Sequence, residues 1–245
     1  MKADPFRQLR LLDLQALDTR LAQLAHSRKV LPQHAEIAEL EGHAKTLDDE
    51  LVRVRTAVGD VEREVAKAEA DVQLVRDRAE RDRSRLEAGV GTSKDLMGLQ
   101  HELETLARRQ SELEDIELEV MERAEALQSD LAELTAGRER LTERMDALVA
   151  ARDAALADLD AEAEQVGAPR AGIVQECGAE LVALYERIRA NSGTGAAALR
   201  ARRCGGCQLE LNNIELGRIK NAPSDEVIRC EECSRILVRT HESGL

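Results

Sequence analysis

Two pairs of cysteines near the C-terminal end are the residues of this sequence best suited to chemistry. Each pair has the spacing Cys-x-x-Cys, and 22 residues separate the two pairs. A Cys-x-x-Cys turn directs two sulfur atoms at one ion, and two such turns complete a tetrahedral shell of four thiolates. The sequence therefore predicts one structural Zn²⁺ ion, and its expected ligands are Cys204, Cys207, Cys230 and Cys233.

A shell of four thiolates has no open position for water or substrate, so this metal would not be catalytic. The same spacing also allows an iron centre or a redox-active dithiol pair, and both remain alternatives. The sequence contains no P-loop, nucleophile elbow or Gly-rich dinucleotide motif. We therefore predict a protein that is not an enzyme and takes no small-molecule substrate. The fifth cysteine, Cys177, is expected to be a small buried residue.

Arginines flank the predicted metal site. If this end of the chain binds RNA or DNA, the expected phosphate contacts are Arg202, Arg203 and Arg235, which lie beside the metal-binding turns. Residues 185–245 carry ten Lys/Arg and eight Asp/Glu, so their net charge is only slightly positive. Phosphate binding depends on net neutralisation, and this balance is poor for it.

The elements that must position these residues are long helices. Aromatic residues make up 1% of the chain and charged residues 34%, a composition typical of helices that bury a narrow stripe. Apolar residues recur with steps of three and four at fourteen of fifteen heptad positions from Ile37 to Leu86. A second track, from Leu96 to Leu148, is apolar at thirteen of sixteen positions. Such a sustained period of 3.5 predicts a left-handed coiled coil.

A chain reversal is predicted between the two tracks. Gly89 and Gly91 allow positive φ, and Thr92 with Asp95 has the spacing of a helix capping box. An antiparallel hairpin centred there pairs residues whose numbers sum to about 182, in an arm of roughly 80 Å. The alternative is one continuous helix that dimerises. Three polar residues on the second track, Gln110, Glu117 and Arg138, are interpreted as residues that fix the alignment of the paired helices.

The remaining sequence predicts a helical base and a separate small domain. Pro32 should interrupt the first helix, and the Gly-Ala-Pro sequence at 167–169 should end the long one. A further helix is expected from about Ile173 to Ile188, followed by a flexible joint at residues 191–195. The predicted domains are residues 1–190, a coiled-coil hairpin with its base, and residues 196–245, the zinc ribbon.

The N-terminal sequence has no uninterrupted apolar run, so we expect neither a signal peptide nor contact with a membrane. Cysteines in such a protein are expected to bind metal rather than to form disulfides, and a cytoplasmic location is predicted.

Six segments of the sequence have a recognisable pattern: Lys94-Asp95-Leu96, Leu99 to Leu103, Arg109 to Asp115, Tyr185 to Arg189, Cys204 to Cys207 and Ile228 to Leu237. These segments resemble the bacterial C4-type zinc-ribbon coiled-coil family, in particular its actinobacterial branch. The resemblance implies a hooked coiled-coil hairpin, one zinc on the four cysteines and a ribbon that binds nucleic acid. Two positions depart from the family pattern: Ser234 stands where glycine is usual, and Val238 stands where an aromatic residue is usual.

Two functions are consistent with the sequence. The first is a zinc-binding adaptor or regulatory protein whose ribbon contacts RNA or DNA while its coiled coil holds a protein partner. The alternative is a protein–protein interaction scaffold that binds no nucleic acid. The scarcity of aromatic residues weakens any role that needs base stacking.

Overall fold

The computed structural model describes residues 1–245, which form six helices and four strands. The helices are α1 (Pro5–Lys29), α2 (Pro32–Glu87), α3 (Ser93–Gly167), α4 (Arg170–Cys177), α5 (Ala179–Ser192) and α6 (Asn213–Asn221). The strands are β1 (Ala196–Arg200), β2 (Arg203–Cys204), β3 (Ile228–Arg229) and β4 (Ile236–Val238). None of the helices combines enough length with enough apolar character to span a membrane.

By packing, the chain divides into two compact units. One consists of residues 1–34 together with 150–245, and the other of residues 35–149. This division follows which parts of the backbone lie close together, whereas the domains predicted from the sequence, 1–190 and 196–245, follow chain order. We refer to residues 35–149 as the hairpin, and to the helical part of the other unit as the base.

The hairpin consists of α2 and the facing part of α3, which run antiparallel as predicted. Val61 is buried against Val120 and Ala124, pairs whose residue numbers sum to 181 and 185, in agreement with the predicted register. Every buried residue of α3 lies on the predicted heptad track: Leu99, Leu106, Leu113, Val120 and Ala124. The continuous-helix alternative is wrong, because α2 ends at Glu87 and α3 begins at Ser93.

The reversal between α2 and α3 has the predicted chemistry. Gly89 has φ +63° and Gly91 has φ +135°, backbone conformations that residues with a Cβ rarely adopt. The Thr92 N–H donates to the Asp95 carboxylate at 2.8 Å, and the Asp95 N–H donates to the Thr92 hydroxyl at 3.3 Å. These reciprocal bonds satisfy free donors in the first turn of α3 and fix where the helix begins.

Ion pairs across the hairpin specify its register. Arg138 donates two hydrogen bonds to Asp48, at 2.7 and 3.3 Å. Arg76 bonds Glu114 at 2.6 Å, and Gln110 bonds the same carboxylate at 2.8 Å. Exposed pairs of this kind add little stability individually. They do favour one alignment, because a one-heptad slip would separate each arginine from its partner. This is the role expected for Arg138, whereas Gln110 bonds a carboxylate of its own helix and makes no hydrogen bond to α2.

The base contains α1, the end of α3, α4 and α5. Arg20 of α1 bonds Glu162 of α3 at 2.9 Å, as expected if residues 150–166 run alongside the first helix. The predicted helix at residues 173–188 is wrong in one respect, because it is divided into α4 and α5 at Gly178. Gly178 has φ +84°, which ends α4 and redirects the chain. Cys177, just before this turn, is buried as expected, and burial raises the pKa of its thiol.

The four strands form one sheet in the order β2-β1-β4-β3. β1 runs parallel to β4 and antiparallel to β2, while β3 and β4 pair antiparallel. Because successive side chains of a strand point to opposite faces, the two central strands contribute to two cores. Ala196, Ile236 and Val238 belong to the core of the base. Ala197, Leu199 and Leu237 face the other way, into the core around the cysteines.

The segment predicted to be a flexible joint is hydrogen-bonded and is packed at its end. The Gly195 N–H donates to the buried Gln15 side chain at 2.7 Å, and the Ala196 N–H donates to the same oxygen at 3.3 Å. A Cβ at Gly195 would lie 2.5 Å from the Tyr185 ring, so only glycine fits there. The start of the predicted joint is thus exposed and continues α5 to Ser192, whereas its end at Gly195 is buried against α1 and α5.

A buried carboxylate joins three helices of the base. Asp18 of α1, with 1% of its surface exposed, accepts hydrogen bonds from Arg170 of α4 and from the Tyr185 hydroxyl of α5, both at 2.8 Å. Arg189 lies 3.4 Å from the same carboxylate. Burial acts to raise the pKa of Asp18, but the bonds from Arg170 and Tyr185 outweigh it and hold the pKa below its ordinary value. Burial and the bond to Asp18 raise the pKa of Tyr185.

We predict that Asp18→Asn destabilises the base by about 3 kcal/mol at neutral pH, because it leaves a buried ionic cluster without its anion. The pKa of Asp18 is lower in the folded state, so its stabilisation is complete above the unfolded pKa of about 3.9 and is lost as pH falls further. The difference between wild type and Asp18→Asn should therefore be constant above about pH 5 and should shrink below pH 4.

Urea unfolding followed by Tyr185 fluorescence measures this difference, since the chain has one tyrosine and no tryptophan. Asp13→Asn is the matched control, because Asp13 lies on the same helix with a half-exposed side chain. A difference that does not change between pH 7 and pH 3 would contradict the role given to Asp18.

Candidate zinc site and its surrounding arginines

The two Cys-x-x-Cys turns have the same backbone geometry. In each turn, the carbonyl of the first cysteine accepts a hydrogen bond from the N–H four residues later: Gln208 to Cys204 at 2.8 Å, and Ser234 to Cys230 at 2.9 Å. Gln208 and Ser234 both have positive φ, +67° and +61°. This left-handed residue turns the chain sharply after the second cysteine, so that both sulfurs of a pair lie on the same side of the loop.

The four sulfurs lie close enough to share one ion. All four Sγ atoms are within 4.8 Å of one another, and they come from Cys204, Cys207, Cys230 and Cys233. Two of the distances that join the two turns are 3.8 Å, between Cys204 and Cys233, and 3.9 Å, between Cys207 and Cys230. Zinc–sulfur bonds of about 2.3 Å in a tetrahedron place sulfurs about 3.8 Å apart, whereas a disulfide needs about 2 Å. The donor set fits a zinc ion, and no disulfide is formed.

The thiols differ in their environment. Burial raises the pKa of Cys204, and burial raises the pKa of Cys230 to about 12. Burial acts in the same direction on Cys233, but hydrogen bonds from the backbone and side chain of Arg235 overcome it and lower its pKa to about 7. Buried thiolates need a compensating cation, and a bound metal would supply it.

Two glycines let other elements approach the first turn. A Cβ at Gly205 would lie 2.9 Å from the carbonyl oxygen of Ala198, which accepts the Gly205 N–H, also at 2.9 Å. A Cβ at Gly206 would lie 2.7 Å from the Cδ of Arg235. The first turn is therefore held against β1 on one side and covered by Arg235 on the other.

The three predicted phosphate contacts have different surroundings. Arg235 is half-buried, and its guanidinium donates to the carbonyls of Thr194 and Ser192, both at 3.3 Å. Arg202 and Arg203 are exposed and lie at the turn between β1 and β2. Arg202 bonds the Asn213 side chain. The structure thus brings Arg202 and Arg203 to one exposed turn, while Arg235 ties the metal-binding turn to the segment before β1.

Sequence reasoning missed the residue that closes the ribbon. Arg239 donates hydrogen bonds to five backbone carbonyls, at 2.6 to 3.4 Å. The acceptors lie at the end of α6 and in the loop after it: Ile219, Ala222, Pro223, Ser224 and Glu226. A single arginine thereby satisfies carbonyls that a short helix leaves free at its end. No local pattern around Arg239 distinguishes it from the other arginines of the ribbon.

Sequence reasoning also missed a contact that the N-terminal residues make with the ribbon. The Ala3 N–H donates to the Asp225 carbonyl at 2.7 Å, and the Val227 N–H donates to the Met1 carbonyl at 3.1 Å. Buried Gln8 bonds the carbonyls of Ala3 and Ser224 at 2.8 and 3.2 Å. The available signal in the sequence was the position of Gln8, seven residues before Gln15 and so on the same face of α1. The structure shows that both glutamines are buried.

The left-handed conformation of Ser234 leads to a prediction. Only glycine adopts this conformation without a steric cost of about 1 kcal/mol, so Ser234→Gly should stabilise the second turn by about that amount. The expected result is slower loss of zinc to a chelator such as EDTA, followed with a colorimetric zinc dye. Ser224→Gly, in a ribbon loop without positive φ, should give no such gain. Equal or faster zinc loss from Ser234→Gly would contradict the account.

Comparison with known proteins agrees with this architecture. A family model described as a CT398-like coiled coil hairpin domain matches residues 14–193, and a C4-type zinc ribbon domain matches residues 203–237. An uncharacterised protein of Mycobacterium tuberculosis is 39% identical over 239 residues, which cover 98% of both chains. One from Mycobacterium leprae is 37% identical over 229 residues, 90% of this chain and 95% of the relative.

Solved structures show the same fold. A Mycobacterium smegmatis protein with 39% identity superposes with a TM-score of 0.85, covering 98% of this chain and all of the other. CT398 of Chlamydia trachomatis, at 18% identity, has a TM-score of 0.67 over 96% of this chain and 98% of its own. Neither matching family model describes an enzyme. The hairpin seam, the paired cysteine turns and these matches together show that the chain belongs to the CT398-like coiled-coil hairpin family and carries a C4-type zinc ribbon.

Proposed function

We propose that this chain is a non-enzymatic adaptor whose zinc ribbon binds nucleic acid. In this proposal Cys204, Cys207, Cys230 and Cys233 hold one structural zinc ion, and a fully occupied shell of four thiolates leaves no position for catalysis. The ligand is a single strand or structured RNA, bound weakly through phosphates. The proposal places the protein in the cytoplasm, where thiols stay reduced.

The rigid, basic turn between β1 and β2 carries this proposal. Ala201 and Arg202 have φ +43° and +66°, unusual values for residues with a Cβ. Their N–H groups donate to the carbonyls of Glu242 and Ser243, at 2.7 and 3.0 Å. Positive φ at both residues is the type I′ geometry expected of a two-residue turn between antiparallel strands, and these hydrogen bonds hold it in place. The turn presents exposed Arg200, Arg202 and Arg203 from a fixed backbone.

A scaffold that binds only proteins is the second candidate, and specific contacts favour it. Arg200 pairs with Glu242 at 3.0 Å, and Arg203 lies 3.7 Å from Glu210. These carboxylates neutralise part of the charge that phosphates would need to meet. The two candidate functions make different predictions. The nucleic-acid-binding adaptor should bind a nucleic acid with an affinity that falls as salt increases, and the scaffold should bind none.

The metal assignment predicts one zinc per purified chain. Cys204→Ser or Cys230→Ser should remove that zinc, because three thiolates do not complete the shell, and should leave the hairpin helical. Structural zinc contributes on the order of 10 kcal/mol to the folding of such modules, so the ribbon should unfold. Elemental analysis measures the metal, and circular dichroism measures the helix. Cys177→Ser is the matched control and should keep its zinc. Iron in place of zinc, or no metal in the wild type, would overturn the assignment.

The nucleic-acid proposal predicts salt-sensitive binding through the basic turn. Arg202→Glu combined with Arg203→Glu should weaken binding to a labelled RNA oligonucleotide at least about tenfold at low salt, because two phosphate contacts become repulsive. Arg235→Glu should also weaken binding, and its zinc content must be measured alongside because Arg235 covers the metal turn. A mobility-shift series from low to physiological salt provides the measurement.

The charge-matched control is Arg63→Glu together with Arg53→Glu, which changes two exposed arginines of the hairpin. This control should bind RNA as the wild type does. If the wild type gives no shift even at low salt, nucleic-acid binding is wrong and the scaffold candidate remains.

A further inference from the structure

One side of the hairpin has exposed apolar side chains beside its seam. Met121 of α3 is 38% exposed and Leu118, one turn before it, is 59% exposed. Met121 lines an open groove of about 230 Å³ together with half-buried Val65 of α2 and buried Ala124 of α3. Methionine is common at surfaces that adapt to an apolar partner. This part of the hairpin thus exposes an apolar strip that its own two helices do not cover.

Carboxylates border the apolar strip on both helices. Glu62 of α2 and Glu125 of α3 line the groove, and Glu69 follows Glu62 by two helical turns on the same face of α2. None of these three carboxylates has a basic side chain within 4 Å, whereas four other carboxylates of the hairpin each pair with an arginine of the facing helix. We call this surface, formed by Glu62, Val65, Glu69, Leu118, Met121 and Glu125, the acidic groove.

The surrounding sequence strengthens the negative potential at the acidic groove. Residues 112–125 contain seven carboxylates and a single basic residue, Arg123. Arg123 lies on the opposite side of the hairpin, where it pairs with Glu64 at 3.1 Å. It therefore does not neutralise the groove, and the repulsion between unpaired carboxylates there is uncompensated in the isolated chain.

We infer that the acidic groove binds a basic amphipathic helix of a partner protein. Such a helix would place an apolar stripe over Leu118 and Met121, adding a third helix to the two-helix seam. Lysines or arginines flanking that stripe would meet Glu62, Glu69 and Glu125. Helix-in-groove recognition uses this combination of apolar anchors and flanking charge, and the charge complementarity selects a basic partner over an acidic one.

A second copy of this chain is a poorer occupant. Two hairpins pairing through this surface in antiparallel fashion would bring the same unpaired carboxylates together, and like charges at an interface cost several kcal/mol. The acidic groove lies in the hairpin and the basic turn lies in the ribbon. The inference is therefore independent of nucleic-acid binding, and either can fail without the other.

The experiment uses the full, zinc-loaded chain and a synthetic helical peptide as probe. The peptide has three heptads, with leucine at positions a and d, lysine at e and g, and alanine or glutamine elsewhere. Fluorescence anisotropy of the labelled peptide measures its affinity. Leu118→Asp with Met121→Asp should weaken binding at least about tenfold, since two apolar anchors are lost. Glu62→Lys with Glu125→Lys should do the same, because attraction becomes repulsion.

The opposite side of the hairpin supplies matched control variants. Ile116 is 47% exposed there, on the same helical face as Arg123, and Glu119 is an exposed carboxylate on that face. Ile116→Asp and Glu119→Lys should change affinity by less than about twofold. All these positions are on the surface, so circular dichroism should show unchanged helix content in every variant.

Three results would overturn the inference. One is the absence of peptide binding by the wild type. Another is equal binding of a peptide of the same composition with its heptads scrambled, which would indicate attraction between net charges alone. The third is a wild-type dimer in light scattering that Leu118→Asp with Met121→Asp converts to monomer, because a second copy would then occupy the groove.

Discussion

The burial of the two central strands on both faces is the constraint on which the base and the ribbon depend. Ile236 and Val238 of β4 face the core of the base, and Leu237 between them faces the core around the cysteines. This alternation follows from strand geometry, because successive side chains of a strand point to opposite faces of the sheet. A shift of β4 by one residue would therefore exchange its contributions to both cores at once. The three consecutive residues Ile236, Leu237 and Val238 therefore fix how the metal-binding turns are aligned with the helices of the base.

The same constraint explains why the ribbon needs so few residues of its own. Two thiols, Cys204 and Cys230, are buried members of the ribbon core. Small domains commonly rely on a metal because they cannot bury enough apolar surface. Here the ribbon also shares its sheet with a helical base, and Tyr185 packs against the chain just before β1. Zinc therefore supplements a core that the base already supports on one side.

The sequence predicted those parts of the molecule that local patterns determine. The heptad tracks, the capping box at Thr92 and the stop at Pro32 all involve residues within a few turns of one another. The spacing of the cysteines likewise predicts a donor set, because each pair is a local turn. The interpretation of the polar seam residues agrees with the structure for Arg138, which pairs with Asp48 across the seam, but not for Gln110, which bonds Glu114 on its own helix.

The parts that sequence reasoning missed are contacts between distant residues. The bonds of Ala3 and Met1 to residues 225–227 join segments separated by more than 200 positions, and no periodicity encodes them. Arg239 could not be distinguished from neighbouring arginines, because its role depends on carbonyls that converge only in the fold. Gly178 was missed for a different reason: apolar spacing continues through it, and only its φ of +84° shows the break.

The two surfaces proposed for binding, the acidic groove of the hairpin and the basic turn of the ribbon, have opposite charge. Glu62 and Glu125 make the acidic groove repel phosphates, so nucleic acid is excluded there by long-range electrostatics. Arg202 and Arg203 on the ribbon disfavour the basic helix that the groove would accept. Each surface thus disfavours the ligand proposed for the other, and such repulsion contributes to specificity as well as attraction does. The two proposals taken together describe a chain whose nucleic-acid ligand and basic partner helix do not compete directly, which is the property that an adaptor between these two classes of partner requires.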